Sequence, residues 1–207
     1  MLQVLGRASS INVRKVLWTC AEIGVPYEHH EWGAGTLSLQ SPEFLALNPN
    51  GMVPVIKDEA FVLRESNTIC RYLASRHGRD DLLPTAAAAR ARVEQWMDWQ
   101  ATELNNAWRY AFMSLVRHSP VHADAAALGS SVRGWNRHMS LLDAELARTG
   151  AFVTGAGFTL ADVVLGLSTH RWYSTPMDRP ALPAVESYYE RLSLRPGFVR
   201  HGRNGTP

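Results

Sequence analysis

The 207 residues, 46% apolar and 19% charged, have the composition of an ordinary globular protein and suffice for one large or two small domains with buried cores. The formal net charge is only +2, and the 21 basic residues divide into 19 arginines and two lysines, Lys15 and Lys57, spread along the chain. That balance makes no electrostatic case for nucleic acid or membrane as a partner.

Met1 leads at once into an apolar run, without the basic and long apolar regions of a signal peptide, and no apolar segment reaches the ~18 residues that span a bilayer. A cytoplasmic protein is the expectation. Cys20 and Cys70 belong to no Cys-x-x-Cys pair and read as buried small hydrophobes.

Leu2 to Leu5 reads as a strand, Gly6 to Ser10 as a polar turn, and Asn12 to Ile23 as a helix with Val13, Val16, Leu17 and Cys20 on one side. Unpaired N–H groups and the dipole at such a helix start favour an anion or thiolate. Ser9, Ser10 and Asn12 stand there, and each is equally well suited to cap the helix. Gly24 and Pro26 stop the helix, and Tyr27 to Trp32 reads as a second strand, completing a βαβ unit with parallel strands. A Gly-rich segment, Gly33-Ala34-Gly35, then leads to a short helix within Leu39 to Leu47.

Asn48-Pro49-Asn50-Gly51 is a turn, followed by a strand over Met52 to Lys57 that contains Pro54. A cis Val53-Pro54 bond would leave the Val53 main chain free to pair with an extended ligand; a trans proline opening an edge strand is the alternative. Asp58-Glu59 turns the chain into Ala60 to Leu63, and Arg64 to Thr68 opens a helix through Ile69, Cys70, Tyr72 and Leu73. The organisation expected is therefore a βαβ–ββα domain over residues 1–77, a Gly/Pro-containing linker over 78–84 and an all-helical domain over 85–207.

In the helical part, Ala86 to about Val116 reads as one long helix and Asp124 to Thr149 as the most clearly amphipathic one. Thr159-Leu160-Ala161-Asp162 is a capping signature before an apolar helix, with Phe158 and Val163 placed as a hydrophobic staple. Pro183 starts a last helix closed by Arg195-Pro196-Gly197, and the polar tail after Phe198 reads as frayed. His118 and His122 have the spacing of a metal pair, but Ser119-Pro120 breaks the helix that spacing requires, so no metal site is expected.

Four segments in this order resemble the cytosolic glutathione transferase family, of the serine-type bacterial kind near the theta, nu and beta classes. Ser10-Ile11-Asn12-Val13-Arg14 is similar to the active-site turn, and Asn48 to Val55 to the loop carrying the cis-proline. Glu65-Ser66 is similar to the γ-glutamyl recognition pair, and Phe158 to Asp162 to the capping box of the core helix. The resemblance covers nearly the whole chain. It implies an α+β thioredoxin-like N-terminal domain with a four-stranded mixed sheet, an all-α helical-bundle C-terminal domain, glutathione as co-substrate, and a homodimer.

Those roles suit the residue types. A thiol with pKa near ~8.5 is only slightly ionised at neutral pH, and one hydroxyl bond to a sulfur anion, about 1.5–3 kcal/mol, lowers that pKa by about one to two units. Ser10 would donate that bond, with Asn12 assisting and Ser9 in reserve. Val53, presented by Pro54, would pair with the cysteinyl unit; Ser66 would hold the γ-glutamyl carboxylate, Glu65 the ammonium and Gln40 the glycyl carboxylate. A small hydrophobic electrophile would lie between the domains against Trp108, Arg109 and Phe112, although Arg109 cannot share a helix face with the other two. Detoxifying conjugation is the expected outcome, with glutathione-dependent isomerase, dehalogenase or peroxidase chemistry and a non-catalytic binding module as rivals. A thioredoxin-like oxidoreductase would need a cysteine at the turn, where serine stands.

Overall fold

The computed structural model describes residues 1–33, 35 and 37–207, so Ala34 of the Gly-rich segment lies outside the described residues. Strands β1 (Leu2–Leu5), β2 (Tyr27–His30), β3 (Val55–Asp58) and β4 (Phe61–Arg64) form one sheet in the order β2-β1-β3-β4. β1 pairs parallel with β2 and antiparallel with β3, and β4 returns antiparallel beside β3. The sheet is mixed, as the βαβ–ββα order requires. Helix α1 (Ile11–Ile23) is the crossover, α2 (Pro42–Leu47) lies between β2 and β3, and α3 (Ser66–Arg76) follows β4.

Strand alternation sorts the side chains between two faces. Leu2, Val4 and Ile56 join the core beneath α1 and α3, while Leu5 and Val55 pack with Phe44 of α2 and the partly buried Trp32 and Leu39. α1 ends where expected. Gly24 adopts φ +79° and its N–H donates to the Cys20 carbonyl at 2.9 Å.

The remaining helices are α4 (Ala87–Trp99), α5 (Asn105–Leu115), α6 (Ala125–Thr149), α7 (Leu160–Ser174), α8 (Pro183–Leu192) and α9 (Pro196–His201). The single helix expected over 86–116 is divided by a π-helical turn, Gln100–Leu104. Its cause is polar. Gln100 is fully buried, accepts from Lys15 Nζ at 2.7 Å, and donates to Asn105 Oδ1 at 2.9 Å and Ser168 Oγ at 3.0 Å. The five-residue step from Gln100 to Asn105 is the π-helix spacing.

α7 is buried from Leu160 to Trp172 and forms the axis of the helical part. The Asp162 carboxylate accepts from the Thr159 N–H at 2.8 Å, the Thr159 hydroxyl at 3.1 Å, the Val153 N–H at 3.0 Å and the Tyr188 hydroxyl at 3.2 Å. Burial pushes its pKa up to about 6, while these bonds act in the opposite sense.

One core runs through both parts of the chain. Trp18 of α1 joins them, its ring 5.7 Å from Phe158 and 5.0 Å from Phe198. Gly166 and Gly197 make the approach feasible, because a Cβ there would stand 3.0 Å and 2.5 Å from Trp18. The segment after Phe198 is not frayed. Pro196 opens α9, Phe198 is buried against Trp18, and residues 204–206 are bonded back to α1 and α7. No helix among the described residues is long and apolar enough to cross a membrane.

Candidate active site

The turn from β1 into α1 is held from both sides. The Gly6 N–H donates to the His30 carbonyl at 2.9 Å, and a Cβ at Gly6 would stand 2.6 Å from Val13 and 2.8 Å from Val53. With φ at +144°, this position is suited to glycine alone. The loop of Pro54 therefore touches the start of α1. Arg7 Nη1 donates to the Gly33 carbonyl at 3.0 Å and the Ala8 N–H to Glu31 Oε1 at 3.1 Å, fixing the outer part of the turn.

Ser10 is the N-cap residue of α1 in extended conformation, and its carbonyl accepts from the Arg14 N–H at 3.0 Å. Its hydroxyl makes no capping bond. The position of a cap is occupied without the side chain being used as one. Ser9, half-buried, precedes it in the turn, and Asn12 sits in the first turn of α1.

The Val53-Pro54 bond is cis. Asn48, 2% exposed, shapes the loop before it: Nδ2 donates to the Met52 carbonyl at 2.7 Å and Oδ1 accepts from the Asn50 N–H at 3.1 Å. Sequence reasoning treats Asn48 only as a turn residue, yet it carries the loop. β3 begins just beyond, at Val55, where the N–H absent from Pro54 is not needed by the ladder.

Glu65 caps α3 with φ +70°, a conformation costly for a non-glycine residue, and its carbonyl accepts from the Ile69 N–H at 2.8 Å. Its side chain is exposed, and Ser66 beside it is 8% exposed. Asn12, Val53, Pro54, Glu65 and Ser66 line one cavity of about 90 Å³ together with Asn48, Asn50 and Met52. Gln40 is exposed and lies against Gly51, where a Cβ would stand 2.7 Å from Gln40 Nε2, next to this loop.

The three residues expected to wall the electrophile part company. Trp108 and Phe112 are buried with ring centroids 5.5 Å apart, beneath the guanidinium of Arg171. Arg109 is exposed on another face of α5.

Behind the site lies a polar network that the sequence did not announce. Lys15, 1% exposed, donates to Asn67 Oδ1 at 3.1 Å as well as to Gln100, and Asn67 Nδ2 donates to the Met97 carbonyl at 2.8 Å. Burial draws the Lys15 pKa down to about 8. This network ties the starts of α1 and α3, both at the cavity, to the helical part. Cys20 and Cys70 are buried free thiols, and burial raises their pKa values to about 12 and about 11, so neither serves as a nucleophile. No cluster of metal-binding side chains occurs among the described residues.

A four-stranded mixed sheet entered through a cis-proline loop, two helix starts at one cavity and a helical region behind define glutathione transferase architecture. The family model for the glutathione S-transferase N-terminal domain matches residues 9–76. The chain is 37% identical over 198 residues to glutathione S-transferase GstB of Escherichia coli, covering 95% of each. It is 34% identical to glutathione S-transferase 3 of Zea mays, covering 96% of this chain and 92% of that one. Among solved structures, the theta class glutathione S-transferase of Xanthomonas axonopodis pv. citri with glutathione bound superposes with a TM-score of 0.90 at 36% identity, over 97% of this chain and 96% of that one. The chain belongs to the glutathione S-transferase family.

Proposed function

We propose that this chain is a glutathione transferase whose Ser10 hydroxyl holds the glutathione sulfur as a thiolate, which then attacks an electrophilic carbon of a small hydrophobic substrate. The observation that carries the reading is the Ser10 hydroxyl, which stands at the α1 N-terminus two residues before Asn12, a lining residue of the Asn12–Val53–Glu65–Ser66 cavity, and is not spent on capping. Serine is too weak an acid to act as a base; it donates a charge-assisted hydrogen bond to sulfur, and the N-terminal dipole of α1 acts in the same direction.

The cavity itself admits only part of a tripeptide, and the ligand's remainder extends over exposed surface. Val53 offers its main chain to the cysteinyl unit, Ser66 and the α3 N–H groups receive the γ-glutamyl carboxylate, and Glu65 faces the ammonium. Asn12 assists at the sulfur, Ser9 is the alternative hydroxyl, and Gln40 reaches the glycyl carboxylate. Trp108 and Phe112 form the apolar floor for the electrophile, with Arg109 as a candidate for its outer edge. The reading places the division between domains at residues 78–84. It includes a cytoplasmic homodimer working in detoxification, as the family resemblance implies.

Conjugation of an activated aryl halide, followed against glutathione concentration, tests this. Glu65→Gln is expected to raise the KM for glutathione by about tenfold, the lower end of a charge-assisted hydrogen bond, while the urea midpoint stays constant. An unchanged KM would remove Glu65 from the ammonium.

A further inference from the structure

A second cavity, about 630 Å³, opens between α1, β2, α9 and the tail, and it shares no lining residue with the Asn12–Val53–Glu65–Ser66 cavity. Its lining has two characters. Leu17, Pro26 and Tyr27 give it an apolar wall where the chain passes from α1 into β2, and Arg14, His29, Arg200 and His201 give it a basic one. No carboxylate belongs to the lining. Glu31 stands just outside it, with Oε1 accepting from the Ala8 N–H at 3.1 Å and lying 4.0 Å from His29 Nε2.

The basic groups are unequally engaged. Arg14, 1% exposed, gives its terminal nitrogens to the Thr206 and Pro207 oxygens at 2.6 and 2.9 Å, so it is a held charge at the cavity's floor. His29 Nε2 donates to the Gly6 carbonyl at 2.7 Å, which fixes its ring. Arg200 is exposed and belongs to no ion pair among the described residues. His201 is 7% exposed, and its Nε2 is buried without a hydrogen-bond partner, as is Arg14 Nε. Buried nitrogens left in this way are costly, and an oxyanion is a partner that suits both. Burial, then repulsion from Arg200, His29 and Arg14 in that order, brings His201 down to about 4, so the four groups act across one gap; an anion there offsets their repulsion.

We propose that this cavity binds a phosphate monoester of a small planar organic group, at a site separate from the glutathione cavity and independent of the transferase reading. Arg200, His201 and Asn204 supply the donors. Asn204 lines the cavity, and its Oδ1 accepts from Arg14 at 3.4 Å and from the Thr206 N–H at 3.1 Å, which leaves its Nδ2 to donate. Donors on three separate side chains match the three terminal oxygens of a phosphate monoester better than the two of a carboxylate, and a guanidinium fork suits phosphate geometry. The organic group lies on Tyr27 and Pro26.

Calorimetric titration of the full chain at low ionic strength with phenyl phosphate, inorganic phosphate and phenol tests this. Phenyl phosphate is expected to bind about tenfold more tightly than inorganic phosphate, through apolar contact with Tyr27 and Pro26, and phenol not measurably. Arg200→Gln should weaken phenyl phosphate by about tenfold or more, for one charge-assisted hydrogen bond, and Asn204→Asp by at least as much, since it sets a carboxylate against the phosphate. Both residues are exposed, so neither substitution should move the urea midpoint. Saturating glutathione should leave the affinity unchanged. No binding of phenyl phosphate, binding that survives both substitutions, or displacement by glutathione would overturn the site. Phenol binding as tightly as phenyl phosphate would overturn its anionic character, and inorganic phosphate binding as tightly would overturn the monoester assignment.

Discussion

Ser10→Ala is expected to raise the pKa of the bound glutathione thiol by about one to two units and to lower kcat/KM near neutral pH by about 10- to 100-fold, for the loss of one hydrogen bond of about 1.5–3 kcal/mol to a sulfur anion. The same substitution should leave the urea midpoint almost unmoved. That pairing separates the two roles open to a serine in this position. An N-cap whose hydroxyl bonds the helix contributes about 1 kcal/mol, so a capping Ser10 would lose stability and little activity. The hydroxyl makes no such bond, and the loss should fall on turnover. Ser9→Ala is the control; if the loss follows Ser9 instead, the sulfur faces the preceding residue of the turn.

The largest loss of stability is expected at Asp162→Ala. Removing this carboxylate leaves the Thr159 and Val153 N–H groups without their buried acceptor and the Tyr188 hydroxyl with only the Asp162 main-chain carbonyl at 3.3 Å. An unsatisfied buried group costs about 1–3 kcal/mol and a lost cap about 1 kcal/mol; since these are not additive, about 3–5 kcal/mol in total is expected. For a chain of this size that lowers the thermal midpoint by roughly 10 °C, and it approaches the whole stability of a marginal protein. Chemical denaturation of the two proteins measures it. A change under about 1 kcal/mol would mean that α7 is held by its apolar burial alone.

What was legible in the sequence was local. The apolar strand Leu2–Leu5, the stop at Gly24, the turn at Asn48-Pro49-Asn50-Gly51 and the Asp162 signature each depend on neighbours within a few positions, and the structure places all four as expected. The π-helical turn was hidden because its cause, Lys15 reaching Gln100, lies 85 residues away. Glu65 gave no warning of its positive φ, since glycine or asparagine normally marks that conformation. Arg14 and Arg171 count in the sequence only among arginines spread along the chain, yet both are buried against the tail through bonds to residues 192 and 36 positions away. For the site, the helix starts and the proline were recognisable by residue type. Asn48 and the Lys15 network were not, because a buried amide or cation reveals itself only through its distant partners.

The central claim is that the turn after β1 stabilises a thiolate, and ultraviolet absorbance of the thiolate in bound glutathione, titrated from about pH 5 to about pH 9, measures this directly. Free thiol ionises with a pKa near ~8.5. Stabilisation by Ser10 predicts a midpoint about one to two units lower in the native protein and its return toward the free value in Ser10→Ala. Bound glutathione that ionises no more readily than free glutathione would contradict the account, whatever the fold.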